Sequence, residues 1–192
     1  MLVGGGAGST LGSDLISQAQ KLEMLGHDSL SVGETSHNPF LPLVLVAEHT
    51  EKLHFGTSVA IAFPRVPHIT ANLAWDLQAY SGGRFMLGLG TQVKGHNERR
   101  FSVPWHPPGP HLRDYIKCMR AIWDSWQNGT KPDYEGEFYQ YKLTSPFFNP
   151  GPIEHPDIPV IVSAVNPFNA RLAGEVADGI AIHGFSTFKY IR

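Results

Sequence analysis

The residues with chemical potential in this chain sit in small groups, each placed just after a short apolar stretch. Glu34 and Thr35 form the first group, Thr91 and Gln92 another, and the run Ser163-Ala164-Val165-Asn166 a third. Glu34 could accept hydrogen bonds from a heterocycle or act as a base; the plain alternative is a loop carboxylate in water. Ser163-Ala164-Val165-Asn166-Pro167 offers small residues and free N–H groups at a helix start, which suits a phosphate, although an ordinary capped helix reads the same way. His37 and His183 are candidate acid or proton-relay groups because unperturbed imidazole titrates near pH ~6.5. Lys94, Arg99 and Arg100 could meet an anionic tail or simply solvate a loop that also carries Glu98. Gly88-Leu89-Gly90 allows either close approach of backbone to a ligand or turn geometry. It does not continue as G-x-G-x-x-G, and no helix is expected to open at once, so a dinucleotide fingerprint is not supported.

Other chemistries find less. No Ser/His/Asp or Cys/His arrangement presents itself, so nucleophilic hydrolysis has no specific basis. Ten histidines are present, but none pairs as H-x-x-x-H and Cys118 is the single cysteine, which argues against a metal site and excludes an intramolecular disulfide framework. A net charge of −2 over 192 residues speaks against nucleic acid. No apolar run reaches the ~18 residues of a membrane span, and no export signal marks the N-terminus, so the expected location is the cytoplasm.

The elements that must position these groups alternate. A helix is expected from Asp14 to about Leu25 with Ser13 as its cap, then a strand over Asp28–Gly33, a helix from Pro39 to about Lys52, and one strand from His54 to Ala62. Thr70 opens the next helix, which runs to Tyr80; Ser81-Gly82-Gly83 then turns the chain into the strand Arg84–Gly90. Between about 92 and 157 the alternation breaks, as in an insertion. That region holds a polar basic loop, a proline-rich stretch, an amphipathic helix from about His111 to Gln127 with Cys118 off its apolar stripe, and a hairpin or edge strand in YEGEFYQYKL. A strand over Pro159–Ala164, a helix capped by Asn166 and a last strand over Ile180–His183 complete the pattern, and a weak first strand covers Met1–Gly5. Apolar strands separated by helices describe an α/β fold with a parallel sheet, whose ligands gather at the carboxyl ends of the strands.

Four segments in this order, EMLGHDSLSVGET, AEHTEKLHFGTSVAIAFPR, LQAYSGGRFMLGLGTQ and AGEVADGIAIH, resemble the luciferase-like monooxygenase superfamily. SGGRF-x-LGLG followed by TQVKGH-x-ERRF is most similar to its coenzyme F420-dependent branch. The resemblance implies a TIM (β/α)8-type barrel in a single domain over residues 1–192. It also implies hydride transfer between the deazaflavin F420 and a small organic substrate, with FMN-dependent monooxygenation as the alternative and a non-catalytic binding or dimerisation module as another. Matching positions imply cofactor contacts at Glu34, Ser58, Val59, Thr91, Gln92, Ser163, Ala164, Val165 and Asn166, with a non-proline cis peptide at Ser58-Val59. The histidine that often follows the acidic residue in sugar-phosphate dehydrogenases of the branch is Thr35 here, which leaves Glu34, His37 and His183 as the catalytic candidates. A homodimer is expected, and a substrate pocket walled by Phe63, Trp105, Phe147 or Phe148. A complete barrel takes about 250 residues, so about six of its eight βα units are expected and the last two are not.

Overall fold

The computed structural model describes residues 3–8, 11–182 and 187. Its element order is β1 (Gly4–Ala7), α1 (Ser13–Met24), β2 (Ser29–Val32), α2 (Phe40–His49), β3 (His54–Thr57), β4 (Ala60–Ile61), α3 (Pro67–Tyr80), β5 (Phe85–Gly90) and α4 (Lys94–Arg100). There follow α5 (Pro108–Asn128), β6 (Tyr134–Glu135), β7 (Gln140–Tyr141), β8 (Val160–Ala164), α6 (Pro167–Val176) and β9 (Gly179–Ile182). The sheet runs β1-β2-β3-β5-β8-β9, with β4 pairing beside β5, and every pair in it is parallel. This is a curled, partly closed TIM-type barrel with a helix following most strands. Among the described residues no helix is long and apolar enough to cross a membrane.

The strands are apolar on both faces because helices cover one side and the barrel interior the other. Leu30, Phe55, Leu87, Leu89, Val160 and Val162 are fully buried, and Leu43, Trp75, Ile116 and Trp126 meet them from the helices. The SGGRF motif is part of this framework. Gly82 and Gly83 adopt φ of 64° and 90°, a conformation that side chains resist. The turn they make sends the Arg84 guanidinium onto the end of α2, where Nη2 donates to the Ala47 carbonyl (2.8 Å) and Nη1 to Thr50 Oγ1 (2.9 Å) and the Leu53 carbonyl (3.0 Å). A cation there satisfies carbonyls that no helical N–H can reach and meets the negative end of the helix dipole. Gly88 is also structural: a Cβ there would collide with the Thr57 carbonyl, and the Thr57 hydroxyl bridges to its backbone, accepting from Gly88 N (2.9 Å) and donating to Gly88 O (2.6 Å).

Several boundaries differ from the sequence reading, each for a local reason. The expected strand His54–Ala62 is two, β3 and β4, separated by the cis Ser58-Val59 peptide. Ser13 lies inside α1 and donates no cap; Gly12 precedes it. Helix α3 begins at Pro67 rather than Thr70, since proline's missing N–H costs nothing in the first turn, and the Thr70 hydroxyl instead pairs with Tyr115 OH at 2.5 Å. The basic segment 94–100 is a short helix that opens directly after the β5 loop. Helix α5 starts three residues earlier than expected, and Cys118 is buried despite lying off the apolar stripe, because α3, α6 and the β6–β7 hairpin surround this helix. The hairpin itself forms as expected, antiparallel with Tyr134 opposite Tyr141.

Candidate functional site

At the carboxyl ends of β2, β4, β5 and β8 the sheet opens into a cleft of about 340 Å³, lined by Gly33, Glu34, Thr35, Ser58, Val59, Ile61, Gly90, Thr91, Gln92, Val93, Ser163, Val165 and Asn169. The floor is kept low by glycine. A Cβ on Gly90 would come within 2.6 Å of Val59 Cγ2, and one on Gly33 within 3.2 Å of the Ser58 carbonyl oxygen. A flat ligand can therefore approach backbone from above.

The wall after β2 is built by Glu34, whose side chain is 10% exposed. Its Oε1 accepts from Arg65 Nη2 (2.8 Å), and its Oε2 from Arg65 Nη1 (2.8 Å) and from Ile61 N (2.7 Å). Arg65 Nη1 also donates to the Ile61 carbonyl at 2.9 Å. A bidentate guanidinium–carboxylate pair is among the stronger polar contacts in a protein. It ties the β2 loop to the segment after β4, 31 residues later in sequence. Glu34 is thus neither a solvated loop carboxylate nor a free base; its oxygens are spent on holding two cleft walls together.

The wall after β5 depends on a turn. Gln92 takes φ 56°, the left-handed region that costs a non-glycine residue about 1 kcal/mol, and its Oε1 accepts from Val93 N at 2.9 Å. Buried Asn97, on α4, donates from Nδ2 to the carbonyls of Thr91 (3.0 Å) and Val93 (3.2 Å). The third wall is the β8–α6 junction. Asn166 caps α6, its Oδ1 accepting from Asn169 N at 2.8 Å, and Pro167 follows at the first helical position.

The structure brings together Glu34, Ser58, Val59, Thr91, Gln92, Ser163 and Val165 of the residues singled out by sequence. It leaves out Ala164, which is buried below the cleft, and Asn166, whose side chain serves its own helix. His37 is exposed outside the lining, and His183 lies outside the described residues. Arg100 is not turned toward an anion; its Nη2 donates to the Thr35 carbonyl at 2.9 Å. Phe63 is packed against His111 and Phe147 and Phe148 project into solvent, so neither wall of aromatics lines the cleft. The reading from sequence placed Arg65 at the end of the candidate stretch 60–65 after the third strand without giving it a partner, and it missed Asn97 and Asn169. Arg65 was visible in the FPR tripeptide, but nothing local pairs it with Glu34; Asn97 stood in a segment read as loop.

The sequence profile described as luciferase-like monooxygenase matches residues 3–192. An uncharacterised protein of Mycobacterium tuberculosis is 48% identical over 173 residues, 90% of this chain and 51% of that protein. The F420-dependent glucose-6-phosphate dehydrogenase of Rhodococcus hoagii is 30% identical over 181 residues, 86% of this chain and 51% of the enzyme. The chain thus spans about half the length of the curated relatives it matches. Among solved structures, the coenzyme F420-dependent tetrahydromethanopterin reductase of Methanopyrus kandleri superposes with a TM-score of 0.76 at 22% identity, over 95% of this chain and 55% of that one. With the fold, the glycine-floored cleft and the profile in agreement, the chain belongs to the luciferase-like monooxygenase family.

Proposed function

We propose that this chain forms the cofactor-binding part of an oxidoreductase that moves a hydride between coenzyme F420 and a small organic substrate. The observation that carries the reading is the convergence of Ser58, Val59, Gly90, Thr91, Gln92 and Ser163, from the carboxyl ends of β3, β5 and β8, on one cleft. Its volume lies within the range of small-molecule sites, and its glycine floor suits a planar ring system. The similarity to F420-dependent relatives supports the choice of deazaflavin. A bound deazaflavin would supply the hydride chemistry; the protein's part is to orient two planar partners and exclude water.

Within that role Glu34 and Arg65 are positioning residues, fixing the β2 loop against β4, and Asn97 shapes the β5 loop. His37 and His183 stay as candidate proton carriers. We place the protein in the cytoplasm and read it as a homodimer. Its contact face is the outer side of α2 and α3, where Leu41, Val44 and Tyr80 are exposed around an apolar hollow. Val44→Glu should shift sedimentation toward a monomer; an unchanged sedimentation coefficient would remove this face from consideration.

Fluorescence titration with oxidised and reduced F420 and with FMN tests the main proposal. Binding of F420 in preference to FMN is the expected result. Preference for FMN would move the reading to flavin-dependent monooxygenation, and binding of neither would leave the chain as a non-catalytic module.

A further inference from the structure

We propose that His111, which lies on α5 outside the cleft, is a positioning residue for the Glu34 wall. Its ring, laid flat on Phe63, seats the turn 61–65 that carries both of Glu34's partners. The effect on ligand binding rests on the cofactor reading above; the seating itself does not.

The turn after β4 has two sides. On the cleft side, Ile61 N and the Arg65 guanidinium hold the Glu34 carboxylate. The backbone between them is short and closed: Ala62 N donates to the Gly90 carbonyl (2.9 Å) and Arg65 N to the Ala62 carbonyl (2.9 Å). Phe63 stands in the middle of the turn, between Ile61 and Arg65. It is 6% exposed, does not line the cleft, and stacks instead on His111, with ring centroids 4.0 Å apart and planes 16° apart. A shift or tilt of Phe63 therefore moves Ile61 and Arg65 with it.

The plane of the His111 ring is set by one polar contact. Its Nε2 meets the Tyr139 hydroxyl at 2.8 Å, with the two rings 14° from parallel. Its Nδ1 is buried and has no partner among the described residues. Tyr139 is itself fixed, because its N–H donates to Asp114 Oδ2 (2.9 Å) and its ring stands edge-on to Tyr115. An aliphatic side chain at position 111 would fill the space beside Phe63 without offering a flat face in a fixed orientation. The β6–β7 hairpin is absent from the cleft lining, yet it reaches the Glu34 wall through His111 and Phe63.

Amide hydrogen exchange reads the seat with no ligand present. Ile61 N–H reports the Glu34 wall, and Leu87 N–H, which donates to the Pro159 carbonyl at 2.8 Å, reports the barrel at β5. In His111→Leu the protection of Ile61 should fall about tenfold relative to that of Leu87, the size of one lost aromatic pair. His111→Phe should recover part of it, since the flat ring returns and the Tyr139 contact does not. A purely structural role lowers both amides together. An unchanged ratio of Ile61 to Leu87 protection in the leucine variant, or a phenylalanine variant as impaired as the leucine one, would overturn the proposal. Should His111→Leu fail to fold, Phe63→Leu removes the stack from the other side, with the same expected fall and the same contrary result. In F420 titration the leucine variant should lose affinity by a similar factor and the phenylalanine variant regain part of it; lost protection with full affinity would overturn the role in binding. If the unaltered protein binds neither F420 nor FMN, the cofactor reading fails by itself, and the exchange ratio still decides whether His111 seats the wall.

Discussion

Asp114 on α5 and Asn169 on α6 are both buried polar residues, but Asp114 faces a hairpin of its own chain and Asn169 faces the cleft. The Asp114 carboxylate accepts from Phe138 N (2.5 Å), Tyr139 N (2.9 Å) and the Tyr134 hydroxyl, which clamps the β6–β7 hairpin onto α5. Gly136 makes the clamp possible, since a Cβ there would collide with the carboxylate. Beside it His111 stacks on Phe63 at 4.0 Å, and its Nε2 meets the Tyr139 hydroxyl at 2.8 Å. Asn169, with its backbone N–H held by Asn166 Oδ1, instead lines the cleft. A polar group completed from within the chain holds the fold, and one left open toward a cleft is available to a ligand.

The comparison breaks most sharply at Asp114. Asp114→Ala strands three donors that this carboxylate now satisfies and should cost about 4 kcal/mol of stability in urea denaturation. A loss under about 1 kcal/mol would mean that the hairpin is not clamped and that the contrast with Asn169 is empty.

His111 gives the next largest effect. Burial first, and then the charge of nearby His106, lower its pKa from 6.5 to about 4, against a smaller opposing pull from Asp114. Between those two values the unfolded chain binds more protons than the folded one, so stability falls as pH drops from 6.5 and levels off near 4. The loss attributable to this group is at most about 3 kcal/mol. His111→Phe, which keeps a ring between Phe63 and Tyr139, should flatten denaturation midpoints measured from pH 7 to pH 4.5; an unaltered slope would assign the acid lability elsewhere.

Glu34→Gln sharpens the cleft side. Losing the charge that Arg65 grips should cost about 2 kcal/mol and loosen the β2 wall, so cofactor affinity should drop about tenfold with little change in circular dichroism. Full stability with full affinity would show that the Glu34–Arg65 pair positions nothing.

Much of the fold was legible because it rests on local pattern. Apolar strand runs, helical spacing, the Gly82-Gly83 turn and the Asn166-Pro167 cap are written within a few residues of one another, and the structure places them in that order. The boundaries that moved did so where tertiary contacts outweigh propensity, as at Thr70, whose hydroxyl is claimed by Tyr115 from 45 residues away. In the site, residues at strand ends could be named because parallel sheets gather ligands there. Their partners could not, because Glu34 finds Arg65, and Thr91 finds Asn97, only once the loops are folded.

What the sequence determined by itself was the parallel α/β order, the loops that face the cleft and the family, since these depend on residue type and spacing along the chain. Only the tertiary structure decided which polar groups are spent and which are open. Glu34 passed from candidate base to half of an ion pair with Arg65, and Asn169 from an unremarked helical residue to one that lines the cleft. The physical reason is that a hydrogen bond is settled by distance and direction in three dimensions, and the same side chain serves structure or ligand according to what folding brings within about 3 Å of it.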